Sequence, residues 1–286
     1  MSELGTALAL ASAIGANVAF LCKHRGANEA PDVRFSHPWA SAVALFRSRW
    51  WTVGFLVAAV AWGFHVAALS VAPLSIVQAV TAGGLVLLAI PAQLWFGIRL
   101  RRREWTGLAL SAAGLAGLAI TAEANGAHSS YSIGALAAFE VGLIGVGGAL
   151  LLTGSRGRDH ARDGVLLAVS AGLLVGVSNV AIKALSAVVP SDLLALISPW
   201  TALAAAAGLL AFFALARALQ LGHAIQVIAV SSIGANVTAI VGGILVFGDP
   251  LGSDVLGAIA RTLALVAVVA AAALIPAPRA PETARA

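Results

Sequence analysis

Few residues in this chain can do chemistry, and most of them stand inside apolar runs. Glu140, in AAFEVGLIGV, is the one carboxylate deep in such a run. Ionising it there costs about 2.5–3.5 kcal/mol on insertion scales. It therefore either handles a proton or cation, or is a protonated, hydrogen-bonded structural group. Lys183 closes the apolar run VGVSNVAIK. Its stem can snorkel to an interface; alternatively, its ammonium faces an anionic substrate or pairs with Glu140. Asn179 lies one turn earlier on the same helical face. His65 is either a packed neutral side chain or a proton relay. Gln78 and Thr81 in one run, and Gln226, Ser231 and Asn236 in another, either glue helices together or line a pathway. Both halves of the chain carry such groups in mid-run, which favours lining. These nine residues are the predicted substrate pathway.

No catalytic residue, metal site or cofactor is expected. There is no HExxH motif, no Cys/His cluster has metal-ligand spacing, and the single Cys22 cannot form an internal disulfide. The chain is not expected to be an enzyme. Its N-terminus, MSELGT, lacks a basic n-region, which argues against a cleaved signal peptide.

Apolar residues make up 60% of the 286 and charged residues 10%, against about 25% charged in soluble domains. The chain therefore reads as an all-α polytopic membrane protein, since lipid offers no partner for open backbone groups. Nine spans are predicted: 4–22, 51–71, 74–96, 105–121, 133–154, 165–189, 193–216, 223–247 and 255–275. Most are about 20 residues, enough for a helix to cross hydrocarbon. The segment 37–46 is too short and is expected to lie at the interface, with Trp39, Trp50 and Trp51 in the headgroup belt.

Loop charges support that count. All but two of the 17 basic residues fall on one side of the nine spans: Lys23 to Arg49, Arg99 to Arg103, Arg156 to Arg162, Arg217, Arg279 and Arg285. The exceptions, Lys183 and Arg261, lie inside spans. The basic side is expected to be cytoplasmic, with the N-terminus outside and the C-terminus inside a plasma or inner membrane. The net charge of +5 thus reports topology, and no nucleic-acid partner is implied. The partners expected are the bilayer and a small-molecule or ion substrate; a homodimer is compatible with the sequence.

The run ending at Arg103 has an echo in the second half. Ala68-Leu69 matches Ala218-Leu219, Val80-Thr81 matches Val230-Ser231, Gly84 matches Gly234, and Phe96-Gly97 matches Phe247-Gly248. The third span thus corresponds to the eighth, five crossings later. Five is odd, so the copies are inverted, as in transporters with a midplane site. The expected units are a first repeat over 1–121, a linking fifth helix with its loops over 122–163, an inverted second repeat over 164–275, and a cytoplasmic tail over 276–286. At 1.5 Å per residue, Glu140 and Lys183 would lie about 10 and about 9 Å below the outer ends of their helices. Matched depths could pair them.

These residues resemble the drug/metabolite transporter superfamily (EamA-like), whose members carry such an inverted duplication. A closer likeness, to NIPA-type magnesium transporters, rests on Ala11-Ser12, Lys23-His24-Arg25-Gly26, Trp50-Trp51, Ala72-Pro73 and the two Phe-Gly endings. The resemblance covers nearly the whole chain. It implies a secondary transporter of a small solute working by alternating access, or else a divalent-cation transporter. The sequence departs from the NIPA pattern at Ile98, after the first closing glycine, and at Trp62, where an acidic residue would stand; the second repeat keeps Asp249. A non-transporting subunit or lipid-linked flippase component is the remaining reading.

Overall fold

The computed structural model describes residues 2–71, 80, 84, 86–95, 100–121, 132–156, 159–188, 198–248 and 255–274. Among them there are helices and no strand. In chain order they are α1 (Ser2–Glu29), α2 (Pro38–Arg47), α3 (Arg49–Val71), a 3-10 turn (Val86–Leu88), α4 (Ala89–Leu94), α5 (Arg102–Thr121), α6 (Ile133–Gly154), α7 (His160–Val188), α8 (Pro199–Leu221), α9 (Ala224–Phe247) and α10 (Val255–Leu274). Five of these (α1, α6, α7, α8 and α9) contain stretches long and apolar enough to cross a membrane. The 22 residues of α6 reach about 33 Å, against about 30 Å of hydrocarbon. The chain is an all-helical membrane protein.

These five helices coincide with predicted spans. The second predicted span is α3, which meets α2 at an 88° bend. The fourth and ninth coincide with α5 and α10, each 20 residues long. Of the third, 74–79, 81–83, 85 and 96 lie outside the described residues, and its second half is the 3-10 turn and α4 rather than one continuous helix. α1 runs to Glu29, past the predicted end at 22, because Lys23, His24 and Arg25 continue the same helix. α7 likewise starts at His160, ahead of 165.

Helix ends follow local chemistry. Ser132 caps α6 by accepting from the Ala135 amide at 3.4 Å, and Ser198 caps α8 from Thr201, with Pro199 as the first helical residue. Gly248 ends α9 with φ 68°, its amide donating to the Gly243 carbonyl. That left-handed turn is cheap only for a residue without Cβ, so the Phe247-Gly248 ending has a backbone reason. Pro91 falls in the first turn of α4, just after the 3-10 turn, where its missing N–H breaks no helical bond.

Small residues set the packing. α1 and α3 run antiparallel: Gly15 meets Ala61, and Gly26 rests directly on the Trp51 backbone. α7 and α9 run parallel, with Gly172 against the Ser231 carbonyl and Gly234, Gly176 against Thr238, and Gly242 against Val180. α5 and α10 run antiparallel through Gly114 on Val268 and Ala264, and Gly117 on Ala264. α6 and α7 are antiparallel, tied by the Ser170 hydroxyl donating to the Gly147 carbonyl at 2.8 Å. Large apolar side chains point outward from these helices, among them Trp62, Val141, Leu152, Leu245 and Leu256. Lipid is the solvent that suits such a surface.

Candidate functional site

Glu140 is fully buried, with 0% of its surface exposed. Neither carboxylate oxygen has a hydrogen-bond partner. Buried polar groups are almost always satisfied, so an orphaned carboxyl group calls for an explanation. Its helix supplies none of the missing partners. One turn back, Leu136 joins Val180, Ala184, Val246 and Phe247 in an apolar cluster, with Phe139 and Trp200 packed on it. On the other side, Gly147 faces Leu174. The antiparallel register of α6 and α7 sets Glu140 level with Val177 to Ala181, and the parallel register of α7 and α9 continues that level to Thr238 and Gly242. The Phe139 ring lies where a Cβ at Gly242 would be, 3.1 Å away. The carboxyl group is thus buried at the level where α7 and α9 pass α6.

Glu140 and Lys183 are not hydrogen-bonded to each other, since neither Glu140 oxygen has a hydrogen-bond partner. The register of α6 and α7 sets Lys183 about one turn from the level of Glu140, beside Leu136, and the Lys183 ammonium lies 4.3 Å from the centre of the Phe247 ring. A cation over an aromatic face is held by the ring quadrupole, and Phe247 is supplied by α9, a helix distant in sequence. Depth alone could not reveal the ring that Lys183 meets.

The other predicted pathway residues do not converge on one point. Asn179 is exposed on α7. Asn236 is exposed on α9 and donates to the Ser232 carbonyl of its own helix at 2.8 Å. Ser231 is buried and donates to the Ile228 carbonyl at 3.1 Å. Gln226 is buried near the start of α9, ten residues or about 15 Å along the axis from Asn236. His65 is half-buried in α3, and its Nδ1 is buried without a partner. Gln78 and Thr81 lie outside the described residues. Among the described residues, no group of three or more His, Cys, Asp or Glu could hold a metal ion.

Two polar sites escaped the sequence reading. Asn17 is buried in α1 and donates to the Gly84 carbonyl at 2.7 Å. It ties α1 to the backbone just before the 3-10 turn. An asparagine inside an apolar run was the available signal. The second site is a clasp at the basic end. Gln220, in the last turn of α8, donates to the carbonyls of Ala27 at 2.9 Å and Pro31 at 3.0 Å, and accepts from the Val33 amide at 3.0 Å. Asn28 donates to the Leu219 carbonyl at 3.2 Å. Arg217 bonds Asp32 at 2.7 Å and holds its carboxyl below the usual aspartate range, chiefly through that hydrogen bond. The end of α1 is thereby fastened to the end of α8, between 187 and 193 residues away in sequence. A glutamine in a short loop-like stretch, LARALQLGH, gives no hint of this in sequence.

The chain matches no family model, no curated protein and no solved structure.

Proposed function

We propose that this protein is a secondary transporter of a small solute, working by alternating access, with Glu140 as its proton- or cation-coupling group. The observation that carries this reading is the carboxyl group of Glu140, fully buried at the level where α7 and α9 pass α6, with both oxygens unpartnered. A group kept in hydrocarbon at a cost, and not used to hold the fold together, is best explained by a ligand that comes and goes.

The proposed architecture is nine crossings, with helices one to four repeated upside down as six to nine. Two packing features support it. The first and second crossings pack closely, as do the sixth and seventh (α1 on α3, α7 on α8). The fourth and ninth, α5 and α10, pack antiparallel, as inverted equivalents must. On the proposed topology the N-terminus is outside, and the Gln220 clasp closes the cytoplasmic end between the two halves. Alternating access would require that clasp to open. A magnesium transporter is less well supported, because such a site wants several oxygen ligands, usually including carboxylates, and the enclosed layer offers one.

The test is uptake into proteoliposomes under an imposed pH gradient, screening small organic solutes and then magnesium. Glu140→Gln is expected to remove the response to the gradient while the protein still folds and inserts, and Lys183→Ala to leave that response in place. Gradient-driven uptake by Glu140→Gln at the parent rate would refute the assignment of Glu140.

A further inference from the structure

A second site lies well away from Glu140, at the elbow between α2 and α3. A cleft of about 810 Å³ opens there, lined by Trp39, Val43, Arg47, Arg49, Trp50 and Glu29, among others. That volume falls within the range of small-molecule sites, about 300–1,000 Å³. The chain makes the elbow with one residue, Ser48, between two helices that meet at 88°. Arg47 and Arg49 therefore flank the corner, both exposed.

The charge at this corner is unbalanced. Among the described residues, Glu29 is the only carboxylate lining the cleft, and both its oxygens are engaged, one by Arg25 at 3.3 Å and one by the Ser48 hydroxyl at 3.2 Å. Arg25 also stacks 4.2 Å from the Trp50 ring centre. Arg47 and Arg49 thus line the cleft with one carboxylate, and Arg25 already pairs that carboxylate. Guanidinium groups match phosphate oxygens in pairs. The rest of the cleft is apolar, with Ala40, Val43 and Ala44 beside Trp39. Trp39, which is 82% exposed, and Val43 and Phe46 share the outward face of α2, while Ser41 and Leu45 are buried on its inner face. An amphipathic helix lying across the next helix, with tryptophan on its rim and arginine at its end, suits the boundary between headgroups and acyl chains.

We propose that this elbow is a binding site for an anionic phospholipid, with Arg47 and Arg49 holding the phosphate and the Trp39–Val43 face covering the first part of the acyl chains. The phosphate supplies the negative charge the corner lacks, and the acyl chains supply the apolar cover the outward face of α2 lacks. A soluble phosphate offers only the first. Juxtamembrane basic clusters select anionic lipids by the same electrostatics. The site stands apart from the transporter reading and needs only that the chain lies in a membrane.

The experiment is native mass spectrometry of the detergent-purified full chain, titrated with phosphatidylglycerol or phosphatidylcholine. One phosphatidylglycerol is expected to bind at least tenfold more tightly than phosphatidylcholine. Arg47→Gln with Arg49→Gln should abolish that preference. Arg102→Gln with Arg103→Gln, which removes the same charge elsewhere, should leave it intact. Val43→Trp keeps both arginines but fills the cleft, and should also lose the lipid. Thermal unfolding of each variant confirms that it is folded. Four outcomes would each overturn the site: equal binding of the two lipids, displacement of phosphatidylglycerol by millimolar inorganic phosphate, equal losses in both arginine pairs, or parent-like binding by Val43→Trp.

Discussion

Replacing Glu140 with methionine is expected to make the folded protein more stable. Glu140 has 0% exposure and neither oxygen has a partner. A buried polar group without a hydrogen bond costs about 1–3 kcal/mol relative to one in water. Methionine has a similar length and no need for a partner, and swaps that conserve volume cost less than about 1.5 kcal/mol. The net expectation is a gain of about 1–2 kcal/mol, a factor of roughly 5–30 in the ratio of folded to unfolded protein. A paired carboxylate predicts the opposite sign, because removing one member of a buried ion pair costs about 3–5 kcal/mol. The assay is reversible unfolding of the purified protein in mixed detergent micelles, for the parent, Glu140→Met, Lys183→Met and the double variant. The coupling energy between the two sites should lie within the roughly 0.3–0.5 kcal/mol typical of independent positions. Destabilisation of about 3 kcal/mol by Glu140→Met, or a coupling well above 1 kcal/mol, would refute the unpaired Glu140 and restore the ion pair with Lys183.

The buried thiol of Cys22, 3% exposed in α1, reports on the packing of α1 against α3 without an added label site. In Gly26→Ala the new Cβ would stand 2.7 Å from the Trp51 Cα, a backbone atom that cannot move alone. The expected cost is about 1–3 kcal/mol, read as faster maleimide labelling of Cys22 by about tenfold per 1.4 kcal/mol; Gly63→Ala, with nothing within 4 Å, should label like the parent. Gln220→Ala should release the 31–33 segment from α8, so that hydrogen exchange at the Val33 amide accelerates while amides in the middle of α7 stay protected. Asp32→Asn should cost less than about 1 kcal/mol at pH 7, because the pair with Arg217 is largely solvated on the aspartate side. Arg217 lowers the Asp32 pKa, so the parent's advantage is present above the ordinary aspartate range and lost as pH falls through the lowered value. Thermal unfolding of both proteins at neutral and strongly acid pH checks the sign.

The sequence by itself determined the solvent and most of the helices. Long apolar runs admit only closed hydrogen-bonded backbones, so the stretches at 133–154, 199–216 and 224–247 had to be helical wherever they packed. Two ends were legible too, at 133 and 247, where Ser132 and Gly248 act through bonds within one or two turns, whereas the start of α8 at Pro199 was placed at 193. It also singled out Glu140, since a carboxylate in a run of that kind is costly in any fold. What only the tertiary structure decided was partnership. The packing of α9 against α7 set Phe247 beside Lys183. Gln226, Ser231 and Asn236 shared a run, but three turns of helix separate the first from the last. Gln220 looked like a loop residue, yet it joins α8 to the carbonyls of Ala27 and Pro31, far off in sequence. The physical reason is the same in each case. Hydrocarbon penalises a polar group according to its type, which the sequence states outright, whereas the bond that satisfies it depends on angles and distances between helices, and those are set by where the glycines let backbones meet.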